Sequence, residues 1–132
     1  MTALGTLPGG NSSGASGINN RGQVVGSAAA GSEAVWHAFL WEKGEMTDLG
    51  GFPGNLETIA MDINAQGQVV GYSDEAANMW HALLWEGGVR TELSALGVGF
   101  EGSQAHAINE RGQIVGSSQT SSGYYHATLW TR

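Results

Sequence analysis

Ile18-Asn19-Asn20-Arg21-Gly22-Gln23-Val24-Val25-Gly26 decides the reading of this chain, because it occurs three times. It returns as Ile63-Asn64-Ala65-Gln66-Gly67-Gln68-Val69-Val70-Gly71 and as Ile108-Asn109-Glu110-Arg111-Gly112-Gln113-Ile114-Val115-Gly116. The spacing is 45 residues both times. A fixed period of this size marks a repeat architecture, in which each copy is one small supersecondary unit.

The flanks of the motif define that unit. Upstream lie Ser13–Ile18, Thr58–Ile63 and Ser103–Ile108, where Ala and Ile recur at fixed offsets, as expected of a first short strand. Asn19, Asn64 and Asn109 can bond their own backbone as Asx-turns, and Gly22, Gly67 and Gly112 can take the positive φ that closes a tight hairpin. Gln-Val-Val-Gly is a second strand rich in β-branched residues, and Gly26, Gly71 and Gly116 leave room there for a neighbouring backbone or a large ring. Variable polar loops follow over 28–35, 73–79 and 118–124.

Trp36-His37-Ala38-Phe39-Leu40-Trp41 then matches Trp80-His81-Ala82-Leu83-Leu84-Trp85 and Tyr125-His126-Ala127-Thr128-Leu129-Trp130. Alternation places His37, Phe39 and Trp41 on one face of this third strand and Trp36, Ala38 and Leu40 on the other. Both faces are largely apolar, which predicts cover on both sides. Turns at 42–45 and 86–88 lead into a fourth strand, 46–49 and 89–93.

Four short antiparallel strands in about 45 residues fit the blade of a β-propeller. The expected fold is therefore all-β, a propeller of four-stranded blades with three blades in this chain. The organisation is a single repeat domain over 1–132, with repeats at 13–49, 58–93 and 103–131. Thr2-Ala3-Leu4-Gly5 matches Thr47-Asp48-Leu49-Gly50, so residues 2–7 read as a fourth-type strand at the N-terminus. The third repeat stops after its third strand. A second copy could donate the missing strand, so that two chains close a six-bladed ring as a homodimer by exchange between their N- and C-termini. The alternative is a β-trefoil, which also has three repeats of four strands.

Composition narrows the function. Net charge is −7 and the five basic residues are scattered, so a nucleic-acid partner is not expected. An anionic membrane surface is disfavoured for the same reason. There is no apolar run long enough to span a bilayer, and Met1–Gly5 does not open a signal peptide. With no cysteine, disulfides, thiolate metal sites and cysteine nucleophiles drop out. Gly9-Gly10 is followed by no Lys-Ser/Thr, Asp74-Glu75 lacks the spacing of a calcium loop, and the carboxylates form no recurring pair. No enzyme activity and no cofactor are expected.

Ile-Asn-x-x-Gly-Gln-Val-Val-Gly, His37-Ala38-Phe39-Leu40-Trp41-Glu42 and Met46-Thr47-Asp48-Leu49-Gly50 together resemble the bacterial HAF-type extracellular repeat. The resemblance covers the whole chain. It departs at the Phe position of the second and third copies, which hold Leu83 and Thr128. It implies a secreted or cell-surface tandem-repeat protein, and it carries no established activity.

Three sets of residues are candidates for a site. His37, His81 and His126 could converge on a metal near an axis, but a residue present in every unit fits a structural task, locking one blade to the next. Trp41, Trp85 and Trp130 are expected in the core between blades. Trp36, Trp80 and Tyr125 stand at the mouths of the variable loops, where aromatic rings could stack on sugars. His106, in a first strand, is placed nearer the axis. The Gly-rich loops before each repeat, with Phe52, Asn55 and Phe100, would share one face and offer a docking surface. The expected function is a non-enzymatic binding or scaffold module for protein interaction. The alternative is a carbohydrate-binding lectin with repeated aromatic sites.

Overall fold

The computed structural model describes residues 1–31, 35–50, 57–74, 80–93 and 102–131. These residues form eleven β-strands and no helix. β1 (Ser13–Ile18), β2 (Val24–Ala30), β3 (Val35–Glu42) and β4 (Glu45–Asp48) make the first sheet. β5 (Thr58–Ile63), β6 (Val69–Asp74), β7 (Trp80–Glu86) and β8 (Val89–Glu92) make the second, and β9 (Ser103–Ile108), β10 (Ile114–Gln119) and β11 (Tyr125–Trp130) the third. Each sheet is an antiparallel meander in chain order. Strand pairing stays within each sheet, and no barrel of the trefoil kind closes among the described residues.

The three copies of the motif fold alike because the same atoms close the same turn. Asn19 Oδ1 accepts from Arg21 N–H at 3.1 Å and from Gln23 N–H at 3.0 Å. Gly22 N–H returns to the Asn19 carbonyl at 3.1 Å, which requires φ of 79° at the glycine. That conformation is nearly free for glycine and costs other residues about 1–2 kcal/mol. Gly67 and Gly112 repeat it at 82° and 78°.

A bulge follows in the first strand of every sheet, where the pairing register slips across Ser16, Met61 and His106. It presses that strand against the strand-two glycine. A Cβ on Gly26, Gly71 or Gly116 would lie 2.0, 1.8 or 1.9 Å from the carbonyl oxygen of Gly14, Ile59 or Gln104. These glycines therefore make room for backbone, not for a ring.

The sheets stack face to face, with the second in the middle. Val25 and Ala38 of the first sheet meet Ala60, Ile63 and Leu83 of the second. Val70, Ala82 and Leu84 of the second meet Ala105, Ile108 and Ile114 of the third. The alternation expected in the third strand is realised, since Ala38 and Leu40 face the second sheet while Phe39 and Trp41 face away. Both faces of β7 are buried in the same manner, Leu83 towards the first sheet and Leu84 towards the third. Burying a side chain of this size contributes about 1.5–3 kcal/mol.

Some expectations change. Residues 2–7 carry no strand pairing among the described residues. They cross the free face of the first sheet, where Leu7 is buried against Val24, Ala28 and Phe39, with Leu4 alongside. The edge they would pair with belongs to β11, in the third sheet, on the far side of the stack. The loop expected over 28–35 is shorter, because β2 runs on to Ala30 and β3 begins at Val35. Ala28 and Ala29 are buried, so extending the pairing covers apolar surface that a loop would leave wet. β6 and β10 likewise run on to Asp74 and Gln119. Phe52, Asn55 and Phe100 lie outside the described residues.

Candidate functional site

The three Asn turns form a ladder along one end of the stack. Asn19 Nδ2 donates to the main-chain oxygen of Asn64 at 2.9 Å, and Asn64 Nδ2 donates to that of Asn109 at 3.0 Å. Each amide also bonds its own glutamine: Asn19 to Gln23, Asn64 to Gln68 and Asn109 to Gln113, at 2.7, 2.6 and 2.8 Å. The middle asparagine is buried and the last is exposed. Glu110 adds a second link, since its carboxylate accepts Ala65 N–H at 3.0 Å and its carbonyl accepts Gln66 Nε2.

A hydroxyl clasp joins the sheets farther along. Thr58 Oγ1 accepts Ala38 N–H at 2.9 Å, and Ser103 Oγ accepts Ala82 N–H at 3.1 Å. Both hydroxyl residues are buried, and both open the first strand of their sheet. Trp85 Nε1 donates across the first junction to Leu49 O at 3.2 Å. The glutamines and the leading hydroxyls were not singled out from the sequence. The signal was there, since Gln follows Gly in all three motifs and Ser13, Thr58 and Ser103 hold like positions.

The histidines serve a different task from the one expected. His37 Nδ1 meets Asp48 at 2.9 Å, and His81 Nδ1 meets Glu92. Each pair ties the third strand to the fourth within one sheet and does not cross to the next. The hairpin register sets this up, because Asp48 pairs with Phe39 and Glu92 with Leu83. Asp48 and Glu92 thus recur at like positions after Thr47 and Thr91, one carboxylate per hairpin. The carboxylates are well exposed, so each pair contributes at most about 1 kcal/mol. His126 is exposed, on a sheet of three strands. The three histidines do not converge, and among the described residues no cluster of three or more His, Cys, Asp or Glu is placed to hold a metal ion.

Trp85 and Trp130 are buried, and Trp41 packs at the free face of the first sheet. Trp36 and Trp80 are half-buried and Tyr125 is exposed. Trp80 meets Tyr72 edge to face, with ring centroids 5.1 Å apart. His106 is the exposed extra residue of the third bulge. Beside the Asn ladder, a cleft of about 640 Å³ opens between the first two sheets. Leu40, Leu49 and Trp85 line it with apolar surface, and Arg21, Asp48 and Arg90 supply charge. No helix among the described residues is long and apolar enough to cross a membrane.

The chain matches no family model, no curated protein and no solved structure. Its functional reading therefore rests on this geometry.

Proposed function

We infer that the chain is a non-enzymatic scaffold, a run of propeller blades that forms half of a six-bladed ring and presents that ring for protein interaction. One observation carries this reading. The junction between the first and second sheets recurs between the second and third with the same bonds, displaced by the length of one repeat. A junction that repeats itself is the working part of a solenoid or a ring, in which each unit holds its neighbour and stability accumulates along the stack. The specific polar groups are spent on holding backbone to backbone. The expected location, outside the cell or on its surface, follows from the resemblance to the HAF-type repeat.

Negative-stain projections of the purified protein test it. Discs with a central channel support the scaffold reading, and compact particles without one, both from the chain and from two copies of it joined in tandem, sink it. The lectin alternative draws on the half-buried Trp36 and Trp80 and the exposed Tyr125. A glycan array with no signal at millimolar sugar would remove it.

A further inference from the structure

The two outer faces of the stack carry, at like positions of the repeat, the residues that form the two sides of each internal junction. At each internal junction an isoleucine from one sheet is buried against a valine and a leucine of the sheet before it. Ile63 meets Val25 and Leu40, and Ile108 meets Val70 and Leu84. The corresponding residues on the outer faces are open. Ile18 is 69% exposed on the first sheet, while Val115 is 47% and Leu129 57% exposed on the third.

The polar groups divide in the same way. Asn109 Nδ2, which among the described residues donates to Gln113 alone, corresponds to the Asn19 and Asn64 amides that reach the next turn. The Asn19 main-chain oxygen corresponds to the acceptors at Asn64 and Asn109. Ser13 holds the place of Thr58 and Ser103, and Ala127 that of Ala38 and Ala82. The N-terminal segment already lies where a preceding blade would put it. Leu4 packs on the free face of the first sheet as Leu49, its counterpart one repeat later, packs on the second.

We propose that the open face of the third sheet docks on the first sheet of a second copy of this chain, reproducing the internal junction twice and closing the ring with two chains. The proposal rests on the blade reading above and names its partner. Asn109 then donates to the Asn19 carbonyl of the other copy, and Ser13 accepts the Ala127 N–H. Ile18 fills the space between Val115 and Leu129. Residues 2–4 lie along β11 as its fourth strand, with the Leu4 N–H on the Ala127 carbonyl, as Leu49 N–H sits on the Ala38 carbonyl at 2.8 Å. Continuity with two existing junctions argues for a second copy over an unrelated partner, because every group the face offers already has its complement on this chain.

Sedimentation equilibrium on the full chain tests this. A single chain weighs 13.7 kDa, and the expected mass is twice that. Ile18→Lys and Leu129→Glu change exposed positions, so each variant is expected to keep its circular dichroism and sediment as a single chain. Mixed one to one they are expected to give a dimer, because one junction is then unaltered and the other sets the lysine against the glutamate. A wild-type dimer untouched by both variants, or assemblies that grow beyond two chains, would overturn the proposal. So would a wild-type chain that stays single to millimolar concentration. A chain carrying two copies in tandem separates the two failures. If it forms discs while the single copy stays monomeric, the blades and the fit of the two faces stand, and the association of separate chains falls. If the tandem chain forms no disc, the blade reading falls as well.

Discussion

The side-chain amide of Asn19 donates to the main-chain oxygen of Asn64, 45 residues away, at 2.9 Å. One residue type thus does two jobs. Its oxygen closes its own turn, and its nitrogen fixes the next turn in place. The motif that defines the repeat also sets the spacing between repeats.

Asn64 stands in the middle of this ladder and is 1% exposed. Asn64→Ala removes the acceptor for Gln68 N–H and the donors to Gln68 Oε1 and Asn109 O. Losing several buried bonds, with partners left unsatisfied, is expected to cost about 2–3 kcal/mol. Asn109→Ala, at an exposed turn, is expected to cost less than about 1 kcal/mol in the single chain. Urea unfolding of the two variants checks the difference. Equal losses would mean that the ladder is incidental to stability.

Glycines of the two kinds separate in thermal stability. Gly71→Ala drives a methyl against the Ile59 carbonyl at 1.8 Å, and the nearest atoms are all backbone of Ile59 and Ala60, which cannot rotate aside as a side chain would. Overpacking of this sort is expected to cost about 3 kcal/mol or more. Gly67→Ala meets no backbone crowding and pays only for its φ of 82°, about 1–2 kcal/mol. Thermal melts that rank Gly67→Ala as the worse variant would contradict the bulge as the reason for Gly71.

The turns were legible because their chemistry is local. At 19–22, 64–67 and 109–112 the Asn accepts local backbone N–H groups and the Gly takes positive φ, so the hairpin closes within five residues and β1, β5 and β9 end where the motif begins. The two-sided burial of β3 and β7 was legible from alternation for the same reason. The partners of His37 and His81 were not, because they depend on the register of a hairpin four residues wide. The path of residues 2–7 was hidden too, since it depends on which apolar face is open in the finished stack. The roles of Thr58 and Ser103 are not legible in the sequence, because a lone hydroxyl at a strand start is ordinary and its acceptor role depends on which backbone N–H the stacking brings opposite it.

The hydroxyl clasp has its own test. Thr58 is fully buried, and its Oγ1 is the acceptor for Ala38 N–H. Thr58→Val keeps the shape and removes the acceptor, leaving a buried N–H unpaired, at an expected cost of about 1–3 kcal/mol. Thr58→Ser keeps the acceptor and loses one methyl, and the serine at position 103 already does this work. The valine variant is expected to be the less stable in guanidinium unfolding. The reverse order would show that packing, and not the bond, matters at this junction.

Tyr72 gives the stack an alkaline limit. Burial raises its pKa above the ordinary tyrosine value of about 10. The folded state therefore holds the phenolic proton more tightly than the unfolded chain. The associated stability is complete below about pH 10 and is lost as pH rises through the folded pKa. Tyr72→Phe is expected to flatten the fall in stability above pH 10 and leave it unchanged at pH 7 to 9. Stability measured against pH for the two proteins decides it, and parallel curves would remove Tyr72 as the cause.

The N-terminal segment is the most exposed part of this architecture to a single change. Leu7 is 2% exposed and covers Val24, Ala28 and Phe39 with side-chain packing and no strand pairing. Leu7→Ala is expected to cost about 2–4 kcal/mol, in the range for a buried leucine. Leu4, partly buried beside it, is expected to lose less. Deleting residues 1–7 uncovers the first sheet and also removes the strand that would complete β11 in a second copy. The deletion is expected to bind a hydrophobic dye and to aggregate, because an apolar face and a sheet edge are opened together. Leu7→Ala disturbs the face and spares the edge, so it is expected to lose stability while still pairing. A deletion variant as stable and as associated as the intact chain would mean that the segment only rests on the first sheet, and that neither the cover nor the exchange depends on it.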